Sequence, residues 1–214
     1  QLVWACLAVV LLAGPAPAAG TPDNPAPLPD DFVLPLPAGR QMVFRPVYIG
    51  KGDDVFAQRS FRMGDPDGGF KEHPTEVSLS GSFSGPGKSG TDWFYYMAKY
   101  EVTQAQWAAV MGREEPEKKQ AAKPAAGMTW FQVQQFLDRL NQWLFSNALA
   151  QLPRAGSAPG FLRLPSEAEW EFAARGGAAV SADDFDRRIP YPDRLSACEW
   201  FAGPKSSHGK KKSV

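Results

Sequence analysis

The stretch from residue 161 to residue 177 constrains the fold more than any other part of the 214-residue chain. It reads FLRLPSEAEWEFAARGG, in which apolar and charged residues first alternate until a proline interrupts the pattern. Ser166 and Glu169 have the spacing of a capping box, which marks a helix N-terminus, and two glycines mark the helix end. The stretch therefore predicts a short strand over residues 161–164, followed by a helix whose apolar stripe contains Trp170.

Two further helices and several strands are predicted from the same kinds of signal. Thr103 with Gln106 and Thr129 with Gln132 form capping boxes at two helix starts. Alternating patterns predict strands at residues 41–49, 60–64, 75–83 and 93–102. The order of strands, two helices, a strand and a short helix predicts an α+β fold.

The N-terminal region reads as a secretory signal followed by a connector. The first twenty residues carry no charge, residues 2–12 form an apolar run, and residues 16–18 give an A-x-A cleavage site. We expect a signal peptide over residues 1–18 that lacks its charged start, the alternative being a buried N-terminal helix. The run is too short for a membrane span. A periplasmic or secreted protein with no membrane span after cleavage is predicted.

Residues 19–40 are rich in proline and alanine, which predicts an extended, poorly packed linker before a domain over residues 41–214. The formal net charge is zero, so the composition gives no indication of nucleic-acid binding. Cys6 lies within the predicted signal, which leaves Cys198 as a single thiol. We expect Cys198 to be a buried apolar residue, the alternative being a reactive thiol.

The charged clusters favour structural roles. Carboxylates and guanidinium groups of the 161–177 stretch are expected to cap the helix and form ion pairs, the alternative being acid–base chemistry. Asp183, Asp184 and Asp186 are expected in a solvated loop because they lack the spacing of a calcium-binding loop. Lys205 and the lysines at 210–212 are expected on a surface loop, the alternative being contact with an acidic partner.

Residues 163–177 resemble the R-L-P-[ST]-E-A-E-W-E-[YF]-A-A-R-G-G signature of the formylglycine-generating enzyme, or sulfatase-modifying factor, family. The motifs F-R-M-G at 61–64, Y-E-V-T-Q-A-Q-W at 100–107 and M-T-W at 128–130 resemble family motifs in the same order. The resemblance implies a loop-rich, C-type-lectin-like α+β fold. The signature positions, taken as structural, are Arg163, Leu164, Pro165, Ser166, Glu167, Glu169, Trp170, Glu171, Arg175, Gly176 and Gly177.

The resemblance also defines what to expect of cofactors. In the family, a cysteine pair beyond a G-N-V-x-E-W stretch binds copper and carries the chemistry, and this sequence contains neither feature. The resemblance therefore implies a domain that is incomplete at its C-terminus, with no catalytic or cofactor-binding residue in this chain. A family calcium site uses an asparagine, which is missing here, so Glu199 is a weak calcium candidate.

Two functional hypotheses follow. G-S-F at 81–83 and W-F-Y-Y-M-A-K-Y at 93–100 resemble a bacterial subgroup of periplasmic regulators of type VI secretion. The favoured hypothesis is a non-catalytic module that binds or regulates a protein partner. The alternative is a copper-dependent oxidase that converts a sulfatase cysteine to formylglycine, with its catalytic half outside this chain. The sequence does not identify the partner or the oligomeric state.

Overall fold

The structure is a computed structural model that describes residues 19–51, 58–64, 74–87 and 90–187. The strands are β1 (Phe32–Pro35), β2 (Gln41–Lys51), β3 (Arg59–Met63), β4 (Thr75–Leu79), β5 (Phe83–Gly87), β6 (Gly90–Ala98), β7 (Arg154–Ala155) and β8 (Ala158–Pro159). The helices are α1 (Gln104–Met111), α2 (Lys118–Ala121), α3 (Trp130–Asn147), α4 (Glu167–Ala174) and α5 (Ala182–Phe185). This mixture of helices and strands agrees with the predicted α+β class.

The central element is a four-stranded antiparallel sheet in the order β1-β2-β6-β5. Strands β3 and β4 form a separate antiparallel pair, as do the two-residue strands β7 and β8. The register between β2 and β6 shifts between Tyr48 and Gly50, which is a β-bulge at Ile49. Ile49 is almost fully buried, so the bulge turns an apolar side chain into the core.

One face of the sheet packs against α1 and α3. Met42 and Phe44 of β2 join a core with Trp107 of α1 and Phe136 of α3. The rings of Trp107 and Phe136 stack with centroids 4.8 Å apart and planes 3° apart. Phe136, Leu140 and Leu144 form the buried face of α3, and Leu140 has no exposed surface.

The other face packs against the β3–β4 pair, α4 and α5. Successive side chains of a strand point to opposite faces, so Tyr95 enters this second core while Tyr96 lies on the helix side. Phe61, Phe172 and Phe185 form a three-ring cluster with centroids 5.4–5.6 Å apart. The sheet is thus sandwiched between two apolar cores.

All three predicted capping boxes are confirmed. In α1, α3 and α4 the N-cap side chain accepts a hydrogen bond from the backbone N–H three residues on, and the third residue's side chain accepts from the N-cap backbone. The N-caps are Thr103, Thr129 and Ser166. Capping satisfies donors that a helix N-terminus otherwise leaves unpaired, so these local signals identify the helix starts.

The segment expected to be a poorly packed linker is more ordered than its composition indicates. Residues 32–35 form β1, and Leu34 and Leu36 are each 2% exposed in the helix-side core. The expectation of poor packing is wrong for this part, because apolar residues between the prolines reach the sheet. The predicted signal peptide, residues 1–18, lies outside the described residues. No helix in the described part of the chain is long and apolar enough to cross a membrane.

Candidate functional site

The charged residues of the signature form two ion pairs, the first at the start of α4. Both guanidinium nitrogens of Arg163 donate to the Glu169 carboxylate, each at 2.7 Å. The same carboxylate accepts from the Ser166 backbone N–H at 2.8 Å, which completes the capping box. Hydrogen bonding from Arg163 holds the pKa of Glu169 below its usual value, although burial opposes this. A charged, fully bonded Glu169 is suited to holding structure.

The second ion pair fixes the turn after β3. Glu171 accepts from the backbone N–H of Gly64 at 2.9 Å, and Arg175 donates to the Gly64 carbonyl at 3.1 Å. Arg175 also pairs with Glu171 one helical turn away. Gly64 has φ 95°, a conformation that side chains other than glycine rarely adopt. The F-R-M-G motif and the signature, which resemblance alone had linked, are therefore in direct contact.

A buried tyrosine ties α4 to the sheet. The hydroxyl of Tyr95 on β6 donates to the backbone carbonyl of Glu169 at 2.6 Å. Burial, with the nearby Glu169 charge, raises the pKa of Tyr95 well above its usual value. Tyr95 is therefore a neutral donor at physiological pH, and it fixes the first turn of α4 against β6.

The apolar stripe predicted for α4 is wrong. Trp170 is 61% exposed, whereas Phe172 is fully buried in the second core. The buried residues of α4 are Glu169 and Phe172, which lie three positions apart and so share one face. The ion pair with Arg163 offsets the desolvation cost of burying Glu169. Glu169 therefore lies on the buried face of α4, and Trp170, the next residue, lies on the exposed face.

Beside α4 lies an apolar groove of about 510 Å³. Tyr96 and Ala98 of β6 line one side, and Val133 and Leu137 of α3 line another. The chain at residues 160–165 forms a further wall. Small-molecule sites in folded proteins are usually concave and mostly apolar, with volumes of about 300–1,000 Å³, and this groove falls in that range.

The side chains that line the groove are mostly apolar. Its charged lining residues are Arg163 and Glu169, which are paired with each other. Burial raises the pKa of Tyr96, which keeps that phenol neutral. Within residues 19–51, 58–64, 74–87 and 90–187, no group of three histidine, cysteine or acidic side chains is placed to hold a metal ion. The groove is thus suited to apolar contacts.

The wall at residues 160–165 was expected to contain a strand, and that expectation is wrong. These residues lie outside any strand, since no neighbouring strand among the described residues pairs with them. Instead, the side-chain amide of Asn141 on α3 bonds Leu162 twice, accepting from its N–H at 2.8 Å and donating to its carbonyl at 2.7 Å. Phe161, next to Leu162, is 64% exposed. The sequence offered no signal for the role of Asn141.

An exposed apolar shoulder continues from the groove onto the surface. Phe161, Leu164 and Trp170 are large apolar side chains with more than a third of their surface exposed. Phe161 and Leu164 also line the groove. Trp170 does not line the groove, but it directly follows Glu169, which does. Exposed apolar side chains at an apolar groove are typical of interaction surfaces.

Comparison with known proteins agrees with the motifs described above. Residues 60–200 match the family described as "Sulfatase-modifying factor enzyme 1-like domain". The chain belongs to this family.

A curated relative of this sulfatase-modifying-factor-like chain is the chaperone protein LppX of Paenibacillus barcinonensis. The two sequences are 31% identical over 103 residues, which cover 39% of this chain and 36% of LppX. The chain therefore spans about a third of the length of this relative. No solved structure matches the chain significantly.

The other residues singled out from the sequence fall in two groups. Asp183 and Asp184 lie in the first turn of α5, not in a loop, and Ser181 caps this helix by accepting from the Asp184 N–H at 3.1 Å. Asp186 is the C-cap of the same helix. The remaining candidates lie outside the described residues: Cys198, Glu199, Lys205 and the lysines at 210–212.

Proposed function

We propose that this member of the sulfatase-modifying-factor-like family acts as a non-catalytic module that binds a protein partner. The observation that carries the proposal is the apolar groove, whose charged side chains, Arg163 and Glu169, are already paired with each other. Such a lining offers apolar contact area, and its acidic and basic side chains already satisfy each other. The exposed Trp170, which directly follows the groove residue Glu169, provides the kind of aromatic anchor found at interaction hot spots.

The finer proposal places the protein in the periplasm or outside the cell, as a regulator in type VI secretion. Its support is the apolar, uncharged N-terminal sequence and the resemblance of residues 81–83 and 93–100 to that subgroup. A C-type-lectin-like architecture, implied by the family, is part of the same proposal. The relative LppX is named a chaperone, which is compatible with a protein-binding role.

The oxidase alternative is favoured by the family description, which includes the word enzyme. Copper is expected as a cofactor only if the oxidase alternative is correct. Calcium binding at Glu199 stays a prediction. A direct assay separates the hypotheses: the longest natural form of the protein is incubated with Cu(I) and a peptide containing C-x-P-x-R. The proposal predicts unchanged cysteine, and formylglycine in the product would contradict it.

Site-specific photocrosslinking tests the binding role itself. With p-benzoylphenylalanine in place of Trp170, we expect a defined crosslinked protein in the cells that produce the chain. The same probe in place of Lys119 on α2, whose side chain is 75% exposed, serves as the control. The product should disappear when Ala158→Arg fills the groove. Equal crosslinking from both positions, or a product insensitive to Ala158→Arg, would contradict the proposal.

The identity of the crosslinked protein tests the finer proposal. A partner encoded together with a type VI secretion system supports it. A sulfatase as the partner would instead support the oxidase alternative.

A further inference from the structure

The edge of β6 that faces the groove has no neighbouring strand in the described part of the chain. Strand β5 begins at Phe83, which lies opposite Phe94 of β6. Beyond Phe94, the next residues of β6 run along the groove as its lining, up to Ala98. The sheet is therefore four strands wide only up to Phe94 on this side.

The hydrogen-bond pattern tells which backbone groups this leaves open. The N–H of Lys99 donates to the carbonyl of Val43 on β2 at 2.8 Å. Antiparallel pairs alternate between bonded and non-bonded, so Met97 and Tyr95 also direct their backbone groups toward β2.

By the same alternation, Tyr96 and Ala98 direct their backbone N–H and C=O groups away from β2, toward the groove. Two observations agree with this assignment. Pro46, the residue opposite Tyr96, has no N–H to offer. Phe94, which has the same parity as Tyr96, accepts from Ser82 on the β5 side at 2.9 Å.

The opposite wall of the groove also presents unpaired backbone. Asn141 satisfies both backbone groups of Leu162. Within residues 19–51, 58–64, 74–87 and 90–187, the backbone groups of Phe161 and Arg163 make no hydrogen bond. A ligand that displaces water from these N–H and C=O groups without bonding them incurs a desolvation cost, whereas a ligand that pairs with them gains both hydrogen bonds and apolar contacts.

The chemistry of the occupant follows from these walls. A charged ligand would lose its hydration without finding a counter-charge, because Arg163 and Glu169 are already paired. A lipid chain would fill the apolar volume but leave the backbone groups of Tyr96 and Ala98 unpaired. An extended polypeptide satisfies both requirements, since it carries a donor and an acceptor at every residue other than proline.

We propose that the groove binds an extended, uncharged, apolar segment of a partner protein, which pairs with β6 at Tyr96 and Ala98 as an added strand. Strand addition of this kind obtains affinity from main-chain hydrogen bonds and specificity from alternate side chains. This inference rests on the proposed protein-binding function and specifies the mode of binding at the same groove. Alternate side chains of the segment enter the groove between β6 and α3.

The test uses a random linear heptapeptide library displayed on phage, selected against the full 214-residue chain. We expect enriched peptides without charged residues and with apolar residues at alternating positions. Their affinity should fall at least about tenfold in the Ala158→Arg variant, because the arginine occupies the groove and brings an unpaired charge. Ser157→Arg, on the adjacent exposed position outside the groove, is the matched control and should leave affinity unchanged.

Two readouts distinguish strand addition from apolar contact alone. Hydrogen exchange at the amides of Tyr96 and Ala98 should slow when a selected peptide binds, whereas Leu162, already bonded to Asn141, should change little. N-methylation at alternate peptide positions should weaken binding at least about tenfold in one register, because each methyl group removes a donor, and much less in the other.

Several outcomes would overturn the proposal. One is the absence of any selected peptide that is sensitive to Ala158→Arg. Binding of a fluorescent fatty acid in the groove, with no peptide binding, would identify a lipid site. A dimer that Ala158→Arg dissociates would identify a second copy of the chain as the occupant. Slow hydrogen exchange at the Tyr96 and Ala98 amides in the free monomer would show that residues of the chain itself already pair with this edge of β6.

The failure of this inference differs from the failure of the proposed function. If Trp170 still crosslinks to a defined partner while the amides of Tyr96 and Ala98 exchange unchanged, the protein-binding role stands and strand addition is wrong. If crosslinking at Trp170 is also insensitive to Ala158→Arg, both are wrong.

Discussion

Two segments flank the sheet, and they differ in how their polar groups are satisfied. The N-terminal segment, residues 21–31, surrounds a buried carboxylate that has donors on every side. The segment at residues 160–165 receives side-chain hydrogen bonds at Leu162 from Asn141, and its Arg163 pairs with Glu169. The backbone groups of Phe161 and Arg163 make no hydrogen bond among the described residues. An irregular segment can therefore be tied to the sheet by side-chain hydrogen bonds, and the two segments differ in how many of their polar groups are satisfied in this way.

The buried carboxylate of the N-terminal segment belongs to Asp31. Its carboxylate accepts from Lys99 at 2.8 Å, from Arg45 at 3.2 Å, and from Asn24 and the Leu28 N–H at 2.9 Å each. Its side chain is 5% exposed. These hydrogen bonds keep the pKa of Asp31 well below its usual value, although burial acts in the opposite direction.

The largest expected loss of stability comes from removing the Asp31 carboxylate from the N-terminal segment. Asp31→Ala leaves Lys99, whose side chain is 11% exposed, without its counter-charge. Removing one partner of a buried pair costs several kcal/mol, and we expect about 2–3 kcal/mol of unfolding free energy here because the site lies near the surface. Urea unfolding at neutral pH measures the loss.

The matched control is Asp30→Asn. The Asp30 side chain is 68% exposed and lies 3.8 Å from Arg45, so the change should cost less than about 0.5 kcal/mol. Equal losses for the two variants would show that Asp31 does not hold the segment.

A smaller loss of stability is expected from Asn141, which bonds the backbone of Leu162 in the segment at residues 160–165. Asn141→Ala removes both hydrogen bonds to Leu162 and should cost about 1–2 kcal/mol of unfolding free energy. Asn141→Asp keeps the acceptor and loses the donor, so its cost should be intermediate. An Asn141→Ala variant as stable as wild type would mean that residues 160–165 are held by other contacts.

The pH dependence sharpens the comparison. Because the folded-state pKa of Asp31 is depressed, its contribution is fully present above the unfolded value of about 3.9 and declines as pH falls below it. The stability difference between wild type and Asp31→Ala should therefore shrink between neutral pH and pH values below about 4. Unfolding of both proteins across that range checks the sign, and a difference that grows on acidification would refute it.

The smallest effect on folding is expected at Trp170. Because it is 61% exposed, Trp170→Ala should change unfolding free energy by less than about 0.5 kcal/mol. The same variant should weaken binding of groove-selected peptides, because Trp170 directly follows Glu169, which lines the groove. Phe131→Ala is the control: Phe131 is 77% exposed on α3, and neither it nor its neighbours in sequence line the groove. Equal effects of both variants on peptide binding would show that Trp170 makes no specific contribution to the binding surface.

Local signals in the sequence predicted much of the fold. Each capping box identified a helix start because its bonds lie within four residues, and alternation identified β2, β3 and β6 for the same reason. The errors concern non-local partners. The helical pattern alone placed Trp170 inside, because it does not show that Arg163 pairs with Glu169 and allows that carboxylate to be buried instead. The alternation at residues 161–164 predicted a strand, but it does not show whether a neighbouring strand exists to pair with it.

The candidate site was harder to predict than the fold. The signature indicated the family, which the match over residues 60–200 supports, but the groove depends on where β5 begins relative to β6. No local pattern encodes that relation. Asn141 and Asp31 also gave no signal, because their partners lie 21 residues away in one case and up to 68 residues away in the other.

Hydrogen exchange along β6 in the free protein tests the open edge most directly. We expect alternation: slow exchange at the amides of Tyr95 and Met97, which bond to β2, and fast exchange at those of Tyr96 and Ala98. Equally slow exchange at all four amides would mean that the edge facing the groove is already paired, and strand addition there would be ruled out.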